Sequence, residues 1–396
     1  KNVVTNLLQE QLGFEGLIIT DGLNMKGAAN YATSAEVDLA AFQAGNDLLL
    51  IPQDVPASIA LIKKALETKT LAIERLNYSV RKILKSKYWA GLHNYEPIEL
   101  ENIEQDLNRI EDALLHRELV NNSVTLLKNN AISLPIKDLE NKKIAYVKLG
   151  DAENKPFVNM LKKYTKVTVI SDTNLDEIIK KLKRYNYVII GFHKSNVNPW
   201  KSYKFSNKEL IWLQAIARKN KVVLDVFASP YSLLQIKNFS NIEGLVVSYQ
   251  NSKLAQEISA QLLFGAITAK GKLPVSVGAD FKEGFGITSA NLSRFEYTIP
   301  EAVGVSSKKL ALIDKMADTI INEKMAPGFQ VFVAKNGKVI LEKSYGYHTH
   351  DQKLKVQNSD IYDLASLTKI LASLPLIMKA EEENKIPLTA SLRNIL

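Results

Sequence analysis

The chain of 396 residues contains no cysteine, which excludes disulfides, thiolate metal sites and a cysteine nucleophile and says nothing about compartment. It also lacks any run approaching the roughly 18 apolar residues that a membrane helix requires, so no transmembrane segment is expected. Histidine is scarce, at five residues, and no ligand-like spacing suggests a metal or organic cofactor. Internal repeats and low-complexity tracts are absent. The formal charge of +9 comes from lysines scattered over helical segments rather than from a basic arm with interleaved aromatics, which argues against a nucleic-acid partner. What remains is 46% hydrophobic and 23% charged, a globular composition, in a chain long enough for about three domains. The first residue is Lys1 and the first residues read as a helix rather than a signal peptide, so the natural N-terminus is expected to lie upstream.

Along the chain, Val3, Val4, Leu7, Leu8 and Leu12 recur at helical spacing before Gly13, as in a helix closed by a C-cap glycine. GLIIT at residues 16 to 20 is a continuous apolar run, as in a parallel strand buried on both faces, and Asp21 follows its end. A helix near Glu36 to Gln43 and a strand at Leu48 to Ile51 repeat the pattern, pointing to parallel α/β architecture. Pro56 to Lys87 reads as helical, with Ile59, Ile62, Ile73, Leu76, Val80, Ile83 and Leu84 as its buried residues. After a polar stretch that wraps into a helix around Asp112 to Asn121, five strand-like runs follow: IAYVKLG, VTVIS, YVIIGF, VVLDVF and LVVSY. They alternate with helical segments, as in a three-layer α/β sandwich. Residues 279 to 300 read as irregular. Ser306 then caps a helix over Lys308 to Glu323, Pro327-Gly328 breaks it, and residues 329 to 347 read as a hairpin turning at Asn336-Gly337, the start of an α+β domain.

Asp21 is the first candidate for chemistry. A carboxylate after a buried parallel strand is where α/β barrels place catalytic groups, although Asp-Gly is also ordinary turn chemistry. The surrounding LLQEQLGFEGLIITDGLNM, residues 7 to 25, resembles the nucleophile signature of glycoside hydrolase family 3. The likeness lies in Leu7-Leu8, Gly16, the aliphatic Leu17 to Ile19, Thr20 before Asp21 and Asn24-Met25 beyond it. Gln9 departs from the pattern, where the family usually has a basic residue. AGNDLLL (residues 44 to 50) and SVTLLKNNAISLPI (residues 123 to 136) are similar to the same family's barrel end and sandwich start.

The resemblance implies the C-terminal part of a (β/α)8 barrel over residues 1–95, a linker over 96–122 and a sandwich domain over 123–288. It also implies retaining hydrolysis through a covalent Asp21 intermediate. In the β-N-acetylglucosaminidase branch the acid is a histidine on a barrel loop upstream of the nucleophile; in the glucosidase branch it is a sandwich-domain glutamate, which Glu209, Glu243 and Glu257 leave undecided. His193, at a strand end, reads as structural and His116 as a surface residue. The Asn46-Asp47 pair fits a sugar subsite or a turn equally well.

Ser-x-x-Lys places a hydroxyl and an amine one helical turn apart, so that a desolvated lysine can activate the serine for acyl transfer. It occurs at Ser79/Lys82, Ser306/Lys309 and Ser366/Lys369. The first two read as solvent-facing, on a charged helix and at a helix cap. Only the third is framed by apolar residues: Leu364, Ala365, Leu367, Ile370 and Leu371. With the hairpin upstream it resembles the serine β-lactamase and penicillin-binding-protein group, which implies Ser366 as nucleophile and Lys369 as its base, in a truncated domain over 304–396.

The two resemblances together imply a cell-wall glycosidase, most closely a β-N-acetylglucosaminidase acting on N-acetylglucosamine glycosides or peptidoglycan fragments, fused to a serine hydrolase. A periplasmic or secreted bacterial location follows. The alternatives are a β-glucosidase or β-xylosidase, and a non-catalytic sugar-binding protein. With only part of a barrel and no visible acid, these 396 residues alone are expected to be a poor catalyst.

Overall fold

The computed structural model describes residues 1–198, 200–391 and 393; the C-terminal domain expected over 304–396 therefore includes residues 392 and 394–396, which lie outside the described set. The chain divides into two compact units, Lys1–Ile103 and the remainder from Glu104.

The first unit opens with a helical turn over Asn2–Gln11. Its hydrogen bonds skip five residues, as in Leu12 N–H to the Leu7 carbonyl, so it is a π-helix rather than the expected α-helix. None of its residues is buried. Strand β1 (Ile19–Gly22), the short helix α1 (Lys26–Ala29), helix α2 (Ser34–Gln43) and strand β2 (Leu48–Leu50) follow. Helices α3 (Val55–Glu67) and α4 (Ile73–Trp89) complete the unit. β1 and β2 pair in parallel. The helical segment expected as one stretch is broken where Lys69 adopts φ 57°. Its expected core also differs: Ile59, Ile73, Val80 and Leu84 are exposed. The buried cluster is small, made of Phe42, Ala65 and Leu71 with Ile62 and Leu76 against it.

Helix α5 (Ile103–Leu107) starts at the last residue of the first unit, and α6 (Ile110–Ser123) follows in the second. Its centre is a six-stranded sheet of β3 (Thr125–Asn129), β4 (Ile144–Gly150), β5 (Val167–Ile170), β6 (Tyr187–His193), β7 (Val222–Phe227) and β8 (Ile242–Val247). The order is β3-β8-β7-β6-β4-β5, parallel except for β3 against β8. Helices α7 (Lys155–Tyr164), α8 (Leu175–Leu182), α9 (Asn207–Ala217) and α10 (Lys253–Leu263) cover it. Alternate residues along β6 show why its apolar run is unbroken. Tyr187 and Ile189 pack with Phe157 and Leu161 of α7 and Ile258 and Leu262 of α10. Val188, Ile190 and Phe192 pack with Ile178 and Leu182 of α8 and Leu213 and Ile216 of α9. Both faces are thus buried.

The chain runs from β4 outward to β5 and then back to β6 on the other side of β4, which makes a topological switch point at the ends of β4 and β6. Gly150 there has φ 88°, and a Cβ would lie 2.0 Å from the His193 carbonyl oxygen, so only glycine fits.

A second sheet joins β9 (Glu296–Tyr297), β10 (Gly328–Lys335) and β11 (Lys338–Gly346) in the order β10-β11-β9. Asn336 (φ 54°) and Gly337 (φ 73°) turn the hairpin, both left-handed as a two-residue type I′ loop requires. Between β9 and β10 along the chain lie α11 (Ser307–Leu310), capped by Ser306, and α12 (Leu312–Asn322). Asp314 of α12 accepts from Lys343 Nζ and from the Tyr345 hydroxyl of β11. Helix α13 (Leu374–Glu382) follows a π-helical turn over Lys369–Ser373.

Candidate active site

Asp21 lies inside β1, not just past a strand at residues 16 to 20. The reason is visible in the register. Ile19 pairs with Leu48 and Gly22 with Leu50, so β1 spends one residue more than β2 across the same span. The result is a bulge at Thr20-Asp21, a device that re-aims a side chain beside functional sites. The Thr20 hydroxyl accepts from the Leu50 amide at 2.9 Å, replacing the ladder partner that the bulge removes. Leu23 N–H donates to the Leu50 carbonyl beyond it. The Asp21 carboxylate is exposed; its Oδ1 accepts from Gly22 N–H at 2.8 Å, leaving Oδ2 open. With its single neighbour β2, β1 also leaves Ile19 exposed, where burial on both faces was expected.

Asp47 is not an exposed turn residue. It is buried, and its carboxylate collects the Ile18 amide at 3.1 Å, the Ser79 hydroxyl at 2.5 Å, Lys82 Nζ at 3.3 Å and Arg75 at 3.4 Å. Burial alone would push the carboxyl up; the hydrogen bonds from Ser79 and Ile18 and the Lys82 charge outweigh it and hold the group below the usual range. Ser79 is therefore a buried partner of Asp47 and not the solvent-facing residue expected from its charged helix. The detectable signal was the spacing of Arg75, Ser79 and Lys82, which at i, i+4 and i+7 share one helix face.

The switch point of the larger sheet holds a polar network of another kind. His193 is fully buried: Nε2 lies 2.9 Å from the Tyr146 hydroxyl, Nδ1 lies 2.7 Å from Asn251 Oδ1, and the ring stacks on Phe227. Burial pushes its pKa down to about 4, so the imidazole is a neutral, structural group. Asp225, in the middle of β7, is buried too and held by the Ser248 and Ser259 hydroxyls at 2.8 and 2.5 Å. Burial raises its pKa to about 7.

Among the three glutamates considered as acids, Glu209 is occupied in capping, accepting from Gly150 N–H and Ser206 N–H. Burial raises the carboxyl of Glu257, which sits 3.8 Å from Lys253. Glu243 lies on β8. His116 is exposed on α6 and lines an open hollow of about 470 Å³ with Tyr249, Gln250 and Lys272.

Lys369 Nζ stands 3.1 Å from Ser366 Oγ, so the fold brings the second pair together. Ala365 just before the serine has φ 45°, a left-handed conformation that costs a non-glycine residue energy. The desolvation needed for an activating lysine is not seen. Ser366 and Lys369 are both exposed, as are Leu364, Leu367, Ile370 and Leu371.

The fold and sites define an α/β protein with a carboxylate on a bulged parallel strand and a serine-lysine pair in which Ser366 sits in a turn and Lys369 opens the π-helical turn that follows. Residues 1–86 match the family described as glycosyl hydrolase family 3 N terminal domain, and residues 315–396 match the beta-lactamase family. Over 136 residues it is 26% identical to a beta-N-acetylglucosaminidase/beta-glucosidase of Cellulomonas fimi, a match covering 34% of this chain and 24% of that protein. Over 70 residues it is 37% identical to protein flp of Staphylococcus aureus strain N315, covering 18% and 14% respectively. The chain thus spans a quarter or less of these curated relatives.

Among solved structures, a glycoside hydrolase family 3 beta-N-acetylglucosaminidase from Paenibacillus sp. FPU-7 aligns with TM-score 0.51 and 19% identity, covering 68% of this chain and 53% of that one. The beta-glucoside phosphorylase BglX aligns with TM-score 0.57 and 20% identity, covering 70% and 52%. At these identities the likeness is one of fold.

Proposed function

We propose that this chain is part of a retaining glycosidase in which Asp21 is the nucleophile and residues 1–95 are the last part of a (β/α)8 barrel. The observation that carries the reading is the bulge, which turns an exposed carboxylate out of a parallel strand within the segment matching glycosyl hydrolase family 3. Asp21 Oδ2 attacks the anomeric carbon as the bond to the aglycone breaks, and the leaving oxygen keeps the electron pair and takes a proton from a general acid. Water then attacks the same carbon, passing its proton to the deprotonated acid, and the bond to Asp21 breaks to free the sugar and restore the carboxylate.

The β-N-acetylglucosaminidase branch is preferred over the β-glucosidase branch because of the fused serine-lysine module. That module gives Ser366 as acyl acceptor and Lys369 as base once a covering surface removes the amine from water. The pairing suggests a periplasmic or secreted enzyme working on peptidoglycan fragments. Hydrolysis of an aryl N-acetylglucosaminide but of no muropeptide would count against that substrate.

The test is covalent labelling of the intact protein with a mechanism-based N-acetylglucosaminide, followed by peptide mass spectrometry. An adduct on the peptide containing Asp21, lost in Asp21→Asn, is expected. A folded, sugar-binding protein that forms none would favour the non-catalytic alternative.

A further inference from the structure

We infer that Asp47 is a positioning residue that sets the aim of Asp21, a role that rests on the nucleophile reading above. Its carboxylate lies at the meeting point of three chain segments. Oδ2 takes the Ile18 amide, and the backbone returns the contact, because Asp47 N–H and Leu48 N–H both donate to the Ile18 carbonyl at 2.8 and 3.0 Å. Helix α4 closes the clamp from the other side. Lys82 Nζ bridges Asp47 Oδ2 and the Gly16 carbonyl at 2.8 Å. Arg75 reaches the Asn46 carbonyl at 2.8 Å, while Ser79 and Arg75 hold Oδ1.

Every backbone atom this network grips belongs to the two segments that enter β1 and β2, at residues 16, 18 and 46. The bulge begins immediately afterwards. A bulge spans one residue too many for its partner, so its shape is set by where the flanking residues are pinned. On the near side the pin is Asp47 at Ile18; on the far side it is the Leu23 amide on the Leu50 carbonyl, with the Thr20 hydroxyl on the Leu50 amide inside the bulge. Displacing the near pin lets β1 slide toward regular pairing, and a one-residue slip sends Asp21 to the other face of the strand.

A buried ion cluster need not serve stability, since packed apolar groups often do as well. The arrangement instead fits a need for exact backbone placement where the apolar core is small.

The experiment compares Asp47→Asn, Lys82→Met and Asp21→Asn with the unaltered intact protein, reading thermal melting, KM and the single-turnover rate of adduct formation at Asp21. Asp47→Asn keeps shape and loses charge; Lys82→Met keeps the apolar stem and loses both of its clamp contacts. The adduct rate is expected to fall about 100-fold in Asp47→Asn and about tenfold in Lys82→Met, with KM unchanged, because small misplacement of a reacting group costs rate rather than binding. If Asp47→Asn does not fold, Lys82→Met carries the test. Folded variants that label at the unaltered rate overturn the positioning role while leaving Asp21 as nucleophile. If Asp21→Asn labels like the unaltered protein, the nucleophile reading itself fails and the positioning role falls with it.

Discussion

The β4–β8 sheet and the β1-β2 pair are both parallel, both strand-then-helix in construction, and held in place by different forces. In the larger sheet the central strands β6 and β7 are bracketed: Ile189, Ile190, Val223 and Leu224 are all fully buried, and position follows from apolar contact on two faces. In the pair, Ile19 is 53% exposed and position follows from the buried Asp47 carboxylate and the Thr20 hydroxyl. Apolar packing is strong and undirected, whereas a hydrogen-bonded carboxylate fixes particular atoms. A strand that must present one carboxylate at one angle gains more from the second kind of restraint.

The contrast is broken most severely at Phe157, fully buried beside Tyr146 and 5.0 Å from Phe227. Phe157→Ala is expected to cost about 3–5 kcal/mol in the thermal transition of the sheet unit, against less than about 1 kcal/mol for Ile19→Ala in the intact protein. Equal losses would mean that β1 is packed as the larger sheet is.

The polar groups inside the larger sheet make a second test, by pH. His193 has a folded pKa of about 4 against 6.5 when free. The folded protein therefore binds fewer protons between those values, and this contribution is full above 6.5 and lost as pH falls through 4. Asp225 has a folded pKa of about 7 against 3.8. Here the folded protein binds more protons, and the contribution is full below 3.8 and lost as pH rises through 7. The two slopes oppose each other between pH 4 and 6.5. Relative to the unaltered protein, Asp225→Asn should gain stability as pH rises across that window, and His193→Gln should lose it, by on the order of 3 kcal/mol. Melting curves at pH 4.5, 5.5 and 6.5 check the signs.

The same contrast explains what the amino-acid order reveals. IAYVKLG, YVIIGF and VVLDVF are legible as strands because burial on both faces demands unbroken apolar runs, and Asn336-Gly337 is legible because few other pairs tolerate two left-handed residues. Local pattern is enough where local chemistry decides. The clamp on β1 joins residues 18, 47 and 79, and no window contains all three. Arg75, Arg81, Lys82 and Lys85 make α4 look solvated, so the pattern puts Ser79 at the surface and the apolar Val80 and Leu84 in the core, the reverse of their burial. The bulge is hidden for a related reason: one extra residue in β1 exists only relative to β2. Asp21 and the Ser366/Lys369 pair stood out through resemblance to longer motifs; Asp47, with nothing but turn chemistry around it, did not.

The smallest expected difference separates polar contacts by burial alone. Ser79 donates to Asp47 where both groups are buried, so Ser79→Ala leaves a carboxylate oxygen short of a donor and away from water, at about 1–3 kcal/mol. Lys163 and Glu342 meet at 2.6 Å between α7 and β11 with both side chains partly open to solvent. Water replaces the lost partner there, and Glu342→Gln should cost less than about 1 kcal/mol, falling further as salt is added. Measured side by side in the intact protein, a Ser79→Ala loss no larger than that of Glu342→Gln would mean that water reaches Asp47. The clamp on β1 would then be too soft to hold a bulge.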